Sequence, residues 1–126
     1  MTAGGILIIG GEPSLSKELT SALEEADFSV AAVIDFPEAL RKTDFKPDLV
    51  IMDEVLPDRD RIDACRQLRN NLGVPVVLIG SEESSDELWG RVMEADADLY
   101  LVKPLSYWEL VARVKAILRR CRRQVI

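Results

Sequence analysis

The sequence contains no histidine and only two cysteines, Cys65 and Cys121. Without imidazole groups, the chain has no histidine general acid or base, no histidine-containing triad and no histidine-ligated zinc site. The two cysteines lack the close spacing of metal-ligand pairs, and 126 residues bury enough core to fold without a disulfide or a metal ion. This cysteine usage fits a reducing compartment.

Long hydrophobic runs are also missing. The longest apolar runs have four to six residues, which is too short to span a bilayer, and no basic region precedes a signal-like stretch. We therefore expect a cytoplasmic protein that does not contact a membrane. With 48% hydrophobic and 30% charged residues, the composition predicts one globular domain over residues 1–126.

The net charge of −6 is distributed unevenly along the chain. Six of the 16 basic residues fall within 113–123, so residues 1–112 carry a net charge of −12. Such an acidic body disfavours direct nucleic-acid binding, which depends on basic groups that neutralise phosphates. The basic segment itself has two interpretations: its cations complement the dipole at a helix C-terminus, or they dock a partner or DNA.

Five short apolar runs recur along the chain, each nearly continuous in isoleucine, leucine and valine. Such runs are typical of strands that are covered on both faces of a parallel sheet. Helical patterns separate them, so the sequence predicts five βα units in one doubly wound α/β domain. The runs are 6–9, 28–33, 49–52, 76–79 and 99–102.

The helical segments show apolar stripes and start signals. Two stripes at helical spacing are Leu15, Leu19, Ala22, Leu23 and Ala26, and Leu110, Val114, Ile117 and Leu118. Three pairs place a serine or aspartate three positions before a glutamate, which predicts capping boxes at helix starts. The pairs are Asp35 with Glu38, Ser84 with Glu87, and Ser106 with Glu109.

Ligand sites of open parallel sheets lie outside the carboxyl ends of the strands. The residues at those ends are Gly10 with Gly11, Asp53, Gly80 with Ser81, and Lys103. Because Asp53 ends a buried run, its carboxylate requires a cation or a hydrogen-bond donor, and Lys103 is the evident cation. The residues alone leave open whether this pair is a structural ion pair or part of a reactive site.

Four segments occur in order: ILIIGGEPSL at 6–15, PDLVIMD at 47–53 with LP at 56–57, VPVV at 74–77, and ADLYLVKP at 97–104. Together they resemble the receiver domain of bacterial two-component response regulators, over almost the whole chain. The resemblance implies a flavodoxin-like, three-layer αβα fold. It also implies a five-stranded parallel sheet in the order 2-1-3-4-5 and a cis peptide bond between Lys103 and Pro104.

The resemblance further implies a phosphorelay signalling domain rather than an enzyme. In this family an aspartate accepts a phosphoryl group from a histidine kinase at a Mg²⁺ site. By position Asp53 is the acceptor, and Lys103 is the cation that contacts the phosphoryl oxygens. The implied partners are a histidine kinase, an output domain or a second copy. The basic helix within 103–123 resembles that of regulators that continue into a DNA-binding domain, which leaves open a fragment or a stand-alone protein.

The chain departs from the family pattern at the metal site. Gly10 and Gly11 replace the two adjacent acidic residues that hold the metal ion. Asp53 remains as a ligand, and Glu12 is the other candidate, although this third position commonly faces away in the family. Since Mg²⁺ requires oxygen ligands that usually include carboxylates, we expect no cofactor.

A second departure lies at the switch position after the fourth strand. Gly80 replaces the threonine or serine whose hydroxyl binds the phosphoryl oxygen in the family. Tyr100 is present at the position of the aromatic residue that moves with this hydroxyl. Ser81 carries a hydroxyl one residue later, but successive strand side chains point to opposite faces. Together the two departures predict a degenerate receiver, or pseudo-receiver.

Three functions remain open. The leading hypothesis is a protein interaction module that is independent of phosphorylation. The alternative is a working phosphoacceptor that uses Asp53 with a weakened Mg²⁺ site. A third is an anion- or ligand-binding flavodoxin-like domain, in which Gly10 and Gly11 cradle the ligand at a helix N-terminus.

All tryptophans and tyrosines of the chain, Trp89, Tyr100, Tyr107 and Trp108, fall within twenty positions. They predict an interaction face on the helix after Ser84, the fifth strand and the last helix, since such residues are favoured at interfaces. The resemblance implies that receivers dimerise or meet output partners there. The competing interpretation is that these residues fill the core.

Overall fold

The computed structural model describes residues 3–10, 13–41, 44–53, 61–80 and 98–123. The strands in these ranges are β1 (Gly4–Ile9), β2 (Phe28–Val33), β3 (Leu49–Asp53), β4 (Val76–Gly80) and β5 (Leu99–Val102). The helices are α1 (Pro13–Glu25), α2 (Phe36–Arg41), α3 (Arg61–Leu72) and α4 (Tyr107–Arg123). The predicted helix after Ser84 lies outside the described residues.

The five strands form one parallel sheet in the order β2-β1-β3-β4-β5. This order confirms the doubly wound topology that was expected. Each of the five apolar runs became a strand, and the observed bounds differ from the runs by two residues at most. No helix in the described ranges is both long enough and apolar enough to cross a membrane.

Helices cover both faces of the sheet, which confirms the three-layer arrangement. Leu19 of α1 and Leu110 of α4 pack in a buried cluster on one face. Ala39 of α2 and Leu68 of α3 belong to a second cluster on the opposite face. The strands supply alternate residues to the two clusters, as their twofold side-chain period requires.

The two edge strands contribute side chains to both clusters but are covered less completely than the central strands. Every residue of β3 and β4 is buried, whereas β2 contains exposed positions and Val102 of β5 is 42% exposed. An edge strand has a neighbouring strand on one side only, so less of its surface is covered. The apolar runs therefore identify the strands but not their places in the sheet.

Two of the predicted capping pairs lie in the described residues. The Glu38 N–H donates to Asp35 Oδ1 at 2.9 Å, and Glu38 Oε2 accepts from the Ile34 N–H at 3.2 Å, one residue before the usual partner. At α4, the Glu109 N–H donates to Ser106 Oγ at 3.2 Å. The pair of Ser84 and Glu87 lies outside the described residues.

One hydrogen bond between side chains joins the first turn of α4 to α1. The Tyr107 hydroxyl donates to Glu18 Oε2 at 2.5 Å. Burial of the phenol raises the pKa of Tyr107 to about 12, and the hydrogen bond and negative charge of Glu18 act in the same direction. The folded protein therefore favours the neutral phenol.

We predict that the Tyr107 bond stabilises the protein only below strongly alkaline pH. Because the folded pKa lies above the unfolded value of about 10, the contribution is complete below pH 10 and is lost as pH rises towards 12. Urea denaturation should show that Tyr107→Phe loses about 1 kcal/mol at pH 8 and progressively less above pH 10. A difference that stays constant across this range would contradict the assignment.

Candidate functional site at the carboxyl ends of the strands

Four residues of interest meet at one edge of the sheet. Asp53 and Gly80 end β3 and β4, and Gly10 and Lys103 directly follow β1 and β5. Because all these strands are parallel, their carboxyl ends lie on the same side of the sheet. The fold thus brings together the residues that the strand-end rule selected.

Asp53 and Lys103 form the predicted ion pair. Lys103 Nζ lies 3.0 Å from Asp53 Oδ2, and the side chains are 31% and 4% exposed, respectively. An unpaired buried carboxylate costs several kcal/mol, so the lysine offsets part of the cost of burying Asp53. The partial exposure of Lys103 leaves part of the ammonium group accessible to solvent.

The backbone of Lys103 is also fixed at this edge. Its N–H donates to the Gly80 carbonyl oxygen at 2.8 Å. The Lys103–Pro104 peptide bond is cis, as the resemblance implied. Lys103 therefore contacts β4 through its main chain and β3 through its side chain.

Gly10 has a backbone conformation that favours glycine. It is buried, its φ is 77°, and its N–H donates to the Val33 carbonyl oxygen at 2.9 Å. Residues with a Cβ adopt this left-handed region at a cost of about 1–2 kcal/mol. Gly11 and Glu12 lie outside the described residues. Within the described ranges, no three acidic, cysteine or histidine side chains are grouped to hold a metal ion.

Gly80 lies against the aromatic ring of Tyr100. A Cβ built on Gly80 would overlap the phenol oxygen and Cζ of Tyr100, and it would lie 2.9 Å from Cε2. Sequence analysis missed this contact. The feature that could have predicted it is the parallel register of β4 and β5. This register pairs Leu78 with Tyr100, and Gly80 lies two residues after Leu78 on the same face of the sheet. Ser81 lies outside the described residues.

The aromatic residues of the predicted interaction face have different surroundings. Trp108 is 88% exposed, whereas Tyr107 packs against the cluster beneath α1 and α4. Tyr100 packs against the cluster on the opposite face of the sheet. Trp89 lies outside the described residues. Of the three residues of this face that the structure describes, Trp108 is thus the one whose side chain is largely exposed.

Residues 6–115 match the model of the response regulator receiver domain. The chain belongs to this family. The receiver domain is 41% identical over 117 residues to the DNA-binding response regulator MtrA of Mycolicibacterium smegmatis, covering 91% of this chain and 50% of that protein. It is 41% identical over 118 residues to the Bacillus subtilis alkaline phosphatase synthesis transcriptional regulatory protein PhoP, covering 91% and 48%.

Solved receivers have the same fold. A two-component response regulator from Clostridium difficile superposes with a TM-score of 0.86 at 34% identity, covering 96% of this chain and 98% of that one. The beryllofluoride-activated N-terminal receiver domain of Klebsiella pneumoniae RstA gives a TM-score of 0.81 at 28% identity, covering 91% and 98%. The chain spans about half the length of the curated relatives it matches.

Asp53 is buried and Lys103 is partly exposed, so removing one partner of the ion pair should lower the stability more than removing the other. Lys103→Met leaves a buried carboxylate without its cation, so we expect a loss of about 3 kcal/mol in the free energy of unfolding, the lower end of the range for a buried pair because Lys103 is partly exposed. Asp53→Asn should cost less, because the remaining lysine can reach solvent. The double variant should recover most of the loss of Lys103→Met. Urea denaturation at neutral pH measures all three, and equal losses in the two single variants would contradict the assignment.

Proposed function

We propose that this receiver domain is a protein interaction module whose state is not controlled by phosphorylation of Asp53. The observation that carries the proposal is the pairing of a buried Asp53 with Lys103 in a site where positions 10 and 11 are glycine. The side chains of these four residues are electrically neutral together. An acidic pair at positions 10 and 11 would make the same set negative by two charges, which attracts a dication.

The donor set at this edge does not fit the Mg²⁺ ion that the family implies. Gly10 offers main-chain groups but no carboxylate. The Asp53 carboxylate already contacts Lys103. Mg²⁺ dehydrates reluctantly and usually requires one or two carboxylates in addition to water and substrate oxygens, and this edge supplies only Asp53 among the described residues.

The lost charges affect phosphoryl transfer more than they affect the fold. A cation at the site stabilises the charge that develops on the transferring group and on the attacking carboxylate. Each 1.36 kcal/mol of lost stabilisation slows the reaction about tenfold, so the loss of a metal clamp lowers the rate by several powers of ten. Asp53 and Lys103 then act mainly as a structural pair.

The working surface that we propose lies on β5 and α4. Asp98, Glu109, Arg113 and Arg120 line one groove between these elements, so both signs of charge occur on one face. Trp108 lies one helical turn from Ala112, which also lines this groove. In a twofold dimer, the same surface patch of each subunit contacts that of the other. A patch with both acidic and basic side chains can then form ion pairs between the two copies. We therefore propose a second copy of the chain as the partner.

The relatives supply the wider setting of this proposal. MtrA is a DNA-binding response regulator, and this chain aligns with about half of it. We propose that the receiver acts with an output domain and does not itself bind nucleic acid, because the net charge of residues 1–112 is −12. We place this function in the cytoplasm.

The first test of the proposal is phosphorylation by a small acyl phosphate in the presence of Mg²⁺, followed by intact mass. We expect the unmodified chain to gain no phosphoryl group. Gly10→Asp with Gly11→Asp and Gly80→Thr should restore phosphorylation and lower stability, because the side chain added at position 80 overlaps the Tyr100 ring.

Two controls make the phosphorylation result decisive. Asp53→Asn in the triple variant should abolish the mass increase, which locates the modification. Single substitutions should restore little, since each leaves part of the donor set missing. If the chain without substitutions is phosphorylated at a rate similar to that of the triple variant, the receiver is a working phosphoacceptor instead.

The second test addresses the surface. Trp108→Ala should weaken self-association in sedimentation velocity, while the free energy of unfolding stays within about 0.5 kcal/mol, because the side chain is 88% exposed. Ile34→Ala is the matched control, since Ile34 is 75% exposed and lies outside β5 and α4. If Trp108→Ala self-associates like the unmodified chain, the proposed interface is wrong.

A further inference from the structure

Gly80 does not use the conformational freedom of glycine. It is a buried residue of β4, and it is not among the glycines with positive φ. Its carbonyl oxygen accepts the Lys103 N–H at 2.8 Å, within the ladder between β4 and β5. What distinguishes position 80 is therefore the absence of a side chain, and the Tyr100 ring occupies that space.

The backbone of β5 is anchored on both sides of Tyr100. Before it, Asp98 Oδ2 accepts the Val76 N–H at 2.8 Å and pairs with Arg69 Nη1 at 2.7 Å. After it, the Lys103 N–H is bound to Gly80. Because the strand is held at both ends, crowding at position 80 is relieved by rotation of the Tyr100 side chain rather than by movement of β5.

We propose that the missing side chain at position 80 locks the Tyr100 ring over β4. The orientation of the ring is then set by residue 80 and is independent of the charge or occupancy of Asp53. This inference rests on the function proposed above and deepens it, because a ring that does not turn presents one β5 surface in every state of the site.

Burial favours the locked orientation. The ring packs against a cluster that includes Leu78 and Met52, and burial of aromatic surface is a large favourable term. Glycine at position 80 itself adds no side chain that would compete for this place. A single methyl group there overlaps the far end of the ring, so the ring must turn outward.

The test is ¹⁹F NMR of the chain labelled with 3-fluorotyrosine. The sequence contains two tyrosines, so Tyr100 gives one signal and Tyr107 gives an internal reference. In Gly80→Ala, the Tyr100 signal should shift and broaden with a soluble paramagnetic agent, while the Tyr107 signal stays unchanged. An unmoved and still protected Tyr100 signal in Gly80→Ala would overturn the lock.

Independence from Asp53 is tested separately in Gly10→Asp with Gly11→Asp, which retains Gly80. Mg²⁺ and beryllofluoride are added, and the bound fluoride gives its own ¹⁹F signals. In this variant we expect the Tyr100 signal to keep its position when beryllofluoride binds. In Asp53→Asn, measured without Mg²⁺ or beryllofluoride, we expect the Tyr100 signal at the same position as in the unsubstituted chain. Beryllofluoride binding to the unsubstituted chain would contradict the proposed function but not the lock. A Tyr100 signal that shifts when beryllofluoride binds, or in Asp53→Asn, would overturn the lock.

A thermal double-variant cycle keeps the proposal testable if Gly80→Ala folds poorly. Gly80→Ala should lower the melting temperature by about 5 °C when Tyr100 is present. In the Tyr100→Ala background the same substitution should have little effect, because the overlapping ring is absent. Equal losses in the two backgrounds would show that Gly80 serves the backbone and not the ring.

Discussion

A carboxylate buried at the end of a central parallel strand requires a cation, and in this receiver the cation comes from two strands away. Asp53 ends β3 and Lys103 follows β5, so their 3.0 Å contact passes across the end of β4. The crossing is supported by the hydrogen bond from Lys103 to the last residue of β4. The ion pair and this bond together join three strands at the edge where the site lies.

The fold was predictable because burial leaves a local signature in the sequence. A strand covered on both faces needs an almost unbroken apolar run, and each such run became a strand. Edge position leaves a weaker signature: β2 reads FSVAAV, with small and polar residues between the larger ones, and β5 has only four residues. Which run lies at an edge depends on the strand order, and this came from the family resemblance rather than from the runs.

The site was predictable in its charges but not in its conformations. The strand-end rule and the need to neutralise a buried carboxylate identified Asp53 and Lys103. The positive φ of Gly10 and the ring against Gly80 depend on backbone and side-chain torsions, which no residue pattern reports. The aromatic residues show the same limit. Tyr100 and Tyr107 are close in sequence but pack against clusters on opposite faces of the sheet.

The two glycines that the structure describes at this edge, Gly10 and Gly80, are present for different physical reasons. Gly10 is favoured by its left-handed backbone, whereas Gly80 is favoured by the space that Tyr100 fills. Aspartate tolerates the first conformation better than most residues do, and Asp27 adopts it at a φ of 70°, whereas a hydroxyl-bearing side chain at the second position must displace a packed ring. Position 80 is therefore the more constrained of the two, because a neighbouring side chain, and not the backbone, excludes larger residues there.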